Sequence, residues 1–328
     1  AFALLHEDNC LWLHDFRTEL PEGLAKETFA QSLAYVREGM QVLWQGGIEA
    51  DVFNRLVTIL PCRWREAHIF RVLSAYLKQA SFPLSPIAQA EALTRNPTIG
   101  RSLLELFQAR FDPSVTTDRQ ERQSSILKRL EIALDKVQSM ADERVLREFM
   151  TLILAVVRTN FYMPTAIAAQ RVAFKFDSSA LRILPDPKPW REVFVYSPDV
   201  MGLHLRFGEV ARGGIRWSDR PEDFRTEVLG LVKSQQVKNA VIVPVGAKGA
   251  FIVRTVYGDK QEIGINAYQE FLRGLLDVTD NRHKDKVITP KQVVCHDKED
   301  SYLVVAADKG TASFSDTANA IAAEYQFW

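Results

Sequence analysis

Lys248 stands in "PVGAKGAF", residues 244–251, among small residues and directly after the apolar run "NAVIVPV". Lysine is rarely buried without a partner or a task. A buried lysine that is neutral part of the time can serve as a base or nucleophile. Asp308, in "LVVAADKGTA", follows a second apolar run. Ligands of open α/β sheets bind beyond the carboxyl ends of strands, so a lysine and an aspartate at two such ends could share one cleft and exchange protons there. "ARGGIRWSD" adds Arg212 and Arg216 around Gly213 and Gly214, where backbone can come close to a ligand. In "EDFRTEVLGLVKSQQVKN" a rotation of about 100° per residue gathers Phe224, Val228, Leu231, Gln235 and Lys238 into one stripe and sends Lys233 to the opposite side. Lys233 is therefore a solvated lysine. Gln235 and Lys238 continue the inward face, unless Lys238 only complements the helix dipole and reaches outward. Taken singly, each of the others reads as a surface-turn residue. Together they form a cationic pocket with one carboxylate, suited to a dianionic substrate.

Other chemistries lack their signatures. "GAKG" is no phosphate-binding loop, since the upstream glycine is missing and no Ser or Thr follows the lysine. No GxGxxG occurs. His6, Cys10 and His14 in "HEDNCLWLH" are a poor metal set, so no metal is expected. His204, His283 and His296 have no partner spacing and read as structural. Cys10, Cys62 and Cys295 lie far apart, which fits a reduced, cytoplasmic setting. The 41 basic and 41 acidic residues balance, which gives no hint of nucleic acid or of an anionic membrane. No apolar run approaches a membrane span.

These residues need elements to hold them. The 328 residues allow two domains or one large one. Residues 1–163 read as an all-helical region, with "KETFAQSLAYVREGMQVLW", "WREAHIFRVLSAYLKQ", "IGRSLLELFQARF", "RQSSILKRLEIALDKVQSM" and "ERVLREFMTLILAVVRTNF" as amphipathic segments. Asp112-Pro113 stops the third. From about residue 164 the texture changes. "RVAFKFD", "REVFVYS", "NAVIVPV", "AFIVRTV" and "SYLVVAA" are strands, and helices over about 222–238, in "INAYQEFLRGLLDVT" and in "SDTANAIAAEYQFW" lie among them. The last is opened by a capping residue, Ser315 or Asp316. The expected class is α+β/α/β: the helical region, then residues 164–328 as an α/β domain with a mixed open sheet. The first residue is not Met and the chain stops within a helical pattern, so a piece of a longer protein is expected.

The segments "ARGGIRWSDRPEDFRTEVLGLVKSQQVKNAVIVPVGAKGAF", "LLDVTDN" and "YLVVAADKGTASFSDTANAIAAEYQFW" closely resemble the large, mainly bacterial NAD-dependent glutamate dehydrogenases. The likeness is dense from about residue 190 and looser through "FNRLV", "WREA", "FPLS" and "LFQARFDPS". It implies oxidative deamination of L-glutamate to 2-oxoglutarate and ammonia, with NAD as coenzyme. Lys248 and Asp308 match the catalytic positions. Gln235 and Lys238 match those holding the α-carboxylate. Arg212 matches the position of the side-chain carboxylate, with Gly213 and Gly214 beside it. The smaller enzymes have lysine where Arg212 stands, and Ala250 replaces a glycine. The resemblance further implies a homo-oligomer, a Rossmann coenzyme domain downstream of this chain, and no turnover by this chain alone. Two other readings stay open: a non-catalytic helical or assembly module of a larger enzyme, and a dehydrogenase of another amino acid. Arg212 argues against an apolar side chain on the substrate.

Overall fold

Punctuation in the sequence sets several helix ends. Ser85 caps the helix Pro86–Arg95 by accepting a hydrogen bond from the Ala88 amide, and Pro86 opens it. Asp259 caps the helix Lys260–Leu276 by accepting from the amides of Gln261 and Glu262. Asp112 ends the helix Pro97–Phe111 just ahead of Pro113, as expected. The computed structural model describes the backbone of residues 2–6, 9–13, 25–238, 245–254, 258–284 and 286–328, and the side chains of residues 25–234, 245–254, 258–284 and 286–328. Strands β1 (Phe2–His6) and β2 (Asn9–Leu13) pair antiparallel. Helices α1 (Lys26–Trp44), α2 (Leu56–Ile59), α3 (Trp64–Gln79), α4 (Pro86–Arg95), α5 (Pro97–Phe111), α6 (Arg119–Leu134) and α7 (Met140–Ala155) follow. Then come β3 (Val156–Thr159), α8 (Pro164–Ala168), β4 (Val172–Asp177), β5 (Arg191–Tyr196), β6 (Val200–Arg206), β7 (Gly214–Trp217) and α9 (Phe224–Lys238). The chain continues with β8 (Ala247–Val253), α10 (Lys260–Leu276), β9 (Asn281–His283), β10 (Lys286–Ile288), β11 (Ala306–Ala307) and α11 (Ser315–Glu324).

The main sheet has the order β11-β7-β8-β6-β5-β4-β3. It is mixed, as expected: β3, β4, β5, β6 and β8 run antiparallel in turn, while β8, β7 and β11 run parallel. Side chains alternate across it. Phe251 packs with Tyr268, Phe271, Phe314 and Ile321 on the α10–α11 face. Ala250 and Ile252 join the opposite core with Tyr76, Phe107, Phe176, Val228 and Val232. That second core is continuous from the helical region to the sheet, because α3 is buried along its length and lies between the two.

Several elements differ from the sequence reading. The first residues form a hairpin rather than helix. "AVVRT" leaves the helix at Ala155 and becomes the edge strand β3, since Val156–Thr159 pairs with β4. Pairing and burial there outweigh the helical continuation. Of "SYLVVAA" only Ala306–Ala307 is strand. Residues 301–305 are held by side chains instead: Arg206 donates to the Tyr302 carbonyl at 2.8 Å and the His204 ring meets the Val304 carbonyl at 3.1 Å. Helix α11 has no side-chain cap; a single 3-10 turn, Ala312–Phe314, leads into Ser315 as its first residue. The "NAVIVPV" strand lies almost wholly outside the described residues, as does the end of "AFIVRTV".

Two buried polar groupings fix what carries the site. The first joins three elements around Glu192 of β5: it accepts from Tyr76 of α3 at 2.9 Å and from Arg225 of α9 at 2.5 Å. Gln79 of α3 also donates to the Pro221 carbonyl and accepts from the Arg225 amide, which satisfies the start of α9. The second grips the segment after α10. Arg158 pairs with Asp280 and Asp297, Lys175 with Asp297 and Asp300, and Arg206 with Asp300. These cations sit on β3, β4 and β6, so three strands of the sheet hold residues 280–300 and deliver the chain to β11.

Candidate active site

Register alone brings the key side chains together. Ala307 lies beside Ile215, so Asp308, the next residue, falls beside Arg216. Arg216 lies beside Ala250. Lys248 is two residues before Ala250 and points to the same face, the one covered by α9. A long side chain spans the remaining distance: Lys248 Nζ is 2.6 Å from Asp308 Oδ2. Arg216 Nε reaches the same oxygen at 3.3 Å. Lys248 and Asp308 thus meet, although 60 positions separate them.

The geometry corrects one expectation. Lys248 is the second residue of β8, inside a strand, not on a turn that follows one. Only Asp308 leaves the carboxyl end of its strand. The turn after it is tightly built. Thr311 Oγ1 accepts from the Asp308 amide at 3.0 Å and donates to the Ile215 carbonyl at 2.8 Å, while Gly310 takes φ +83°. This pins the aspartate to β7.

Burial pushes the Asp308 carboxyl upward, but the hydrogen bond from Lys248, the Lys309 amide, the Lys248 charge and Arg216 outweigh it. Asp308 is held below the usual carboxylate range and is an anion at neutral pH. Its side chain is 20% exposed and that of Lys248 10% exposed, so neither is sealed from the surface. Arg216 is not a free cation for a ligand. Glu227 of α9 takes its Nη1 at 2.8 Å, and Ser218 donates to the other Glu227 oxygen at 2.6 Å.

Arg212 is exposed, and its peptide is clasped to the start of β8: its amide donates to Val245 and its carbonyl accepts from Ala247. No described residue forms an ion pair with it. Gly213 and Gly214 are fixed by packing. A Cβ on Gly213 would overlap the Ala247 carbonyl oxygen, and one on Gly214 would overlap the Ala306 carbonyl. Lys233 is exposed, as expected, and Phe224 and Val228 are buried. The buried face of α9 also takes in Arg225, Leu229 and Val232, because the helix leans on Glu192 and Gln79. The side chains of Gln235 and Lys238 lie outside the described residues, as do those of His6, Cys10 and His14. Two clefts of about 570 and 580 Å³ near α5 contain none of the candidates. Arg129, which lines both, is already paired with Glu105 at 2.6 Å. Cleft size is therefore no guide to the chemistry here.

His204 is buried on β6 opposite Gly249. Burial, aided by Arg206, pushes its pKa down to about 4. A depressed folded-state value stabilises above the unfolded value of about 6.5 and is lost as pH falls toward about 4. His204→Gln keeps a donor for the Val304 carbonyl but does not titrate. Wild type should therefore lose roughly 2 kcal/mol more than this variant between pH 7 and pH 5. Urea midpoints at the two pH values check this; equal losses would contradict it. His68 and His296, also pushed down by burial, act equally in both proteins.

Fold and site define an α/β protein whose mixed sheet presents a lysine–aspartate pair fit for proton transfer. Residues 129–328 match the family model described as bacterial NAD-glutamate dehydrogenase, catalytic domain, and residues 48–113 match glutamate dehydrogenase, helical motif 3. The chain belongs to the bacterial NAD-glutamate dehydrogenase family. It is 47% identical over 327 residues to the NAD-specific glutamate dehydrogenase of Pseudomonas aeruginosa, covering 97% of this chain and 20% of that protein. The Halomonas elongata enzyme of the same name is 47% identical over 331 residues, covering 98% and 20%. That of Mycobacterium tuberculosis is 42% identical over 338 residues, covering 97% and 21%. The chain thus spans about a fifth of the length of these relatives. Among the described residues no helix is long and apolar enough to cross a membrane, and no group of His, Cys, Asp or Glu could hold a metal ion.

Proposed function

We propose that this chain supplies the substrate-binding part of an enzyme that oxidises L-glutamate to 2-oxoglutarate and ammonia with NAD. The observation that carries it is the 2.6 Å contact between Lys248 and Asp308, on the family's catalytic-domain match. Residues 164–328 would form the substrate part, and residues 1–163 would brace it through Tyr76 and Gln79.

NAD supplies, when bound, the acceptor for the hydride that leaves Cα. The sequence holds no GxGxxG, so this chain offers no fitting dinucleotide loop. The coenzyme would be held by the part of the parent protein that this chain does not cover. Asp308, an anion at neutral pH, takes a proton from the substrate ammonium so that the amine lone pair can assist loss of hydride. Lys248 activates the water that attacks the resulting imine carbon and takes the proton which that water loses. Asp308 then gives the proton it took from the ammonium to the departing amine. Arg212 holds the distal carboxylate of the substrate, and Gln235 and Lys238 hold the α-carboxylate. A substrate without the distal charge would leave a cation unpaired, which disfavours glutamine.

The full-length protein, mixed with L-glutamate and NAD, should form NADH and 2-oxoglutarate in equal amounts, and L-glutamine should give far less. Folded full-length protein without glutamate-dependent NADH formation would refute the reading.

A further inference from the structure

Four charged groups form one chain across the α9 face of the sheet. Lys248 and Arg216 meet on Asp308 Oδ2, Arg216 is shared with Glu227, and Ser218 fixes Glu227 from the other side. The Arg216 and Glu227 side chains are 18% and 12% exposed, so their pairing is weakly screened. Two cations balance two carboxylates. We propose that Glu227 is a positioning residue for the reaction: through Arg216 it sets the orientation and the proton affinity of Asp308. This role for Glu227 rests on the glutamate dehydrogenase reading.

The effect is electrostatic. Arg216 alone would be a second full cation against Asp308, after Lys248. Such a carboxylate is a poor proton acceptor, because nearby positive charge favours its anionic form. Glu227 withdraws part of that field and clamps the guanidinium, so that only Nε is presented to Asp308. Other charges at Asp308 are few among the described residues. Lys309, on its own turn, is 67% exposed and lies 3.9 Å from Asp219, which is 81% exposed. Lys233 of α9 is exposed. Glu227 is thus the described carboxylate on α9 that reaches this cluster.

The test is a pH profile of kcat for glutamate oxidation by the full-length protein. Glu227→Gln leaves Arg216 uncompensated, so Asp308 binds its proton less tightly. The acid limb should move to lower pH by about one unit, with kcat down about tenfold at the plateau. Glu227→Asp keeps the charge and should return most of the shift. Arg216→Gln leaves Glu227 uncompensated and should move the limb the opposite way, to higher pH, which keeps the idea testable if Glu227→Gln does not fold. A merely structural Glu227 would lower activity and thermal stability with the limb unmoved. An unmoved limb in Glu227→Gln or in Arg216→Gln, with Asp308→Asn inactive, overturns this proposal alone. A wild-type protein inactive on glutamate overturns the functional reading beneath it.

Discussion

Replacing Lys248 by alanine in the full-length protein should lower kcat for glutamate oxidation ~10²- to 10⁴-fold, the usual contribution of general acid–base catalysis, and change KM far less. Lys248 Nζ has one ionic partner among the described residues, Asp308 at 2.6 Å, and that partner retains Arg216 in the variant. No buried charge is left unpaired, so the protein should fold. On the proposed mechanism, what disappears is the group that activates water at the imine carbon, an interaction needed in the transition state more than in the ground state. The expected loss equals roughly 3 to 5 kcal/mol of transition-state stabilisation. Steady-state kinetics decide it. A fall in kcat below about tenfold would assign Lys248 a structural role.

The largest effect on stability should come from Gly213→Ala. Real Cβ atoms stay at least 3.0 Å from backbone, and a Cβ here would overlap the Ala247 carbonyl oxygen. That atom cannot step aside, since Ala247 is paired with β6 on one side and its amide donates to Arg212 on the other. Strands β7 and β8 would have to part, one residue before Lys248. The cost should exceed about 4 kcal/mol, a size reserved for steric conflicts of this kind. Gly230→Ala is the matched control. Gly230 lies in α9 with open space around its Cβ position, so alanine there should stabilise by about 0.5–1 kcal/mol. Yields of folded protein and urea midpoints of the two variants, compared side by side, test both signs. A well-folded Gly213→Ala protein would show that the close strand approach is not required.

The sequence made some of this legible. Helical periodicity located α9 and sent Lys233 outward: Phe224 and Val228, one turn apart, are buried, and Lys233 is exposed. Alternating strands and helices gave a mixed sheet, and the short apolar runs around Lys248 and Asp308 placed both near the sheet. What failed was non-local. Val156–Thr159 is helix-like in sequence continuity and became strand only because β4 is there to pair with it. Residues 301–305 include Leu303 and two valines and read as a strand, yet they are anchored by His204 and Arg206, which lie about a hundred positions away. Lys248 was expected beyond a strand because it follows the run "NAVIVPV"; it lies instead inside β8, where Gly249 leaves room for the His204 and Ile215 side chains. Glu227 and Ser218 were missed, although a signal existed. The wheel that turns Lys238 inward puts Glu227 within about 20° of it, and a carboxylate there invites a cationic partner on the sheet. Gly213 and Gly214 were read as room for a ligand, and what occupies that room is the Ala247 and Ala306 carbonyls.

The central claim is that Lys248 and Asp308 together face the reacting carbon of the substrate. A structure of the full-length protein with 2-oxoglutarate tests it most directly. The keto carbon should lie within about 3.5 Å of Lys248 Nζ or of a water held by it, with Asp308 beside the keto oxygen and the distal carboxylate on Arg212. A ligand bound where it touches neither Lys248 nor Asp308 would contradict the claim.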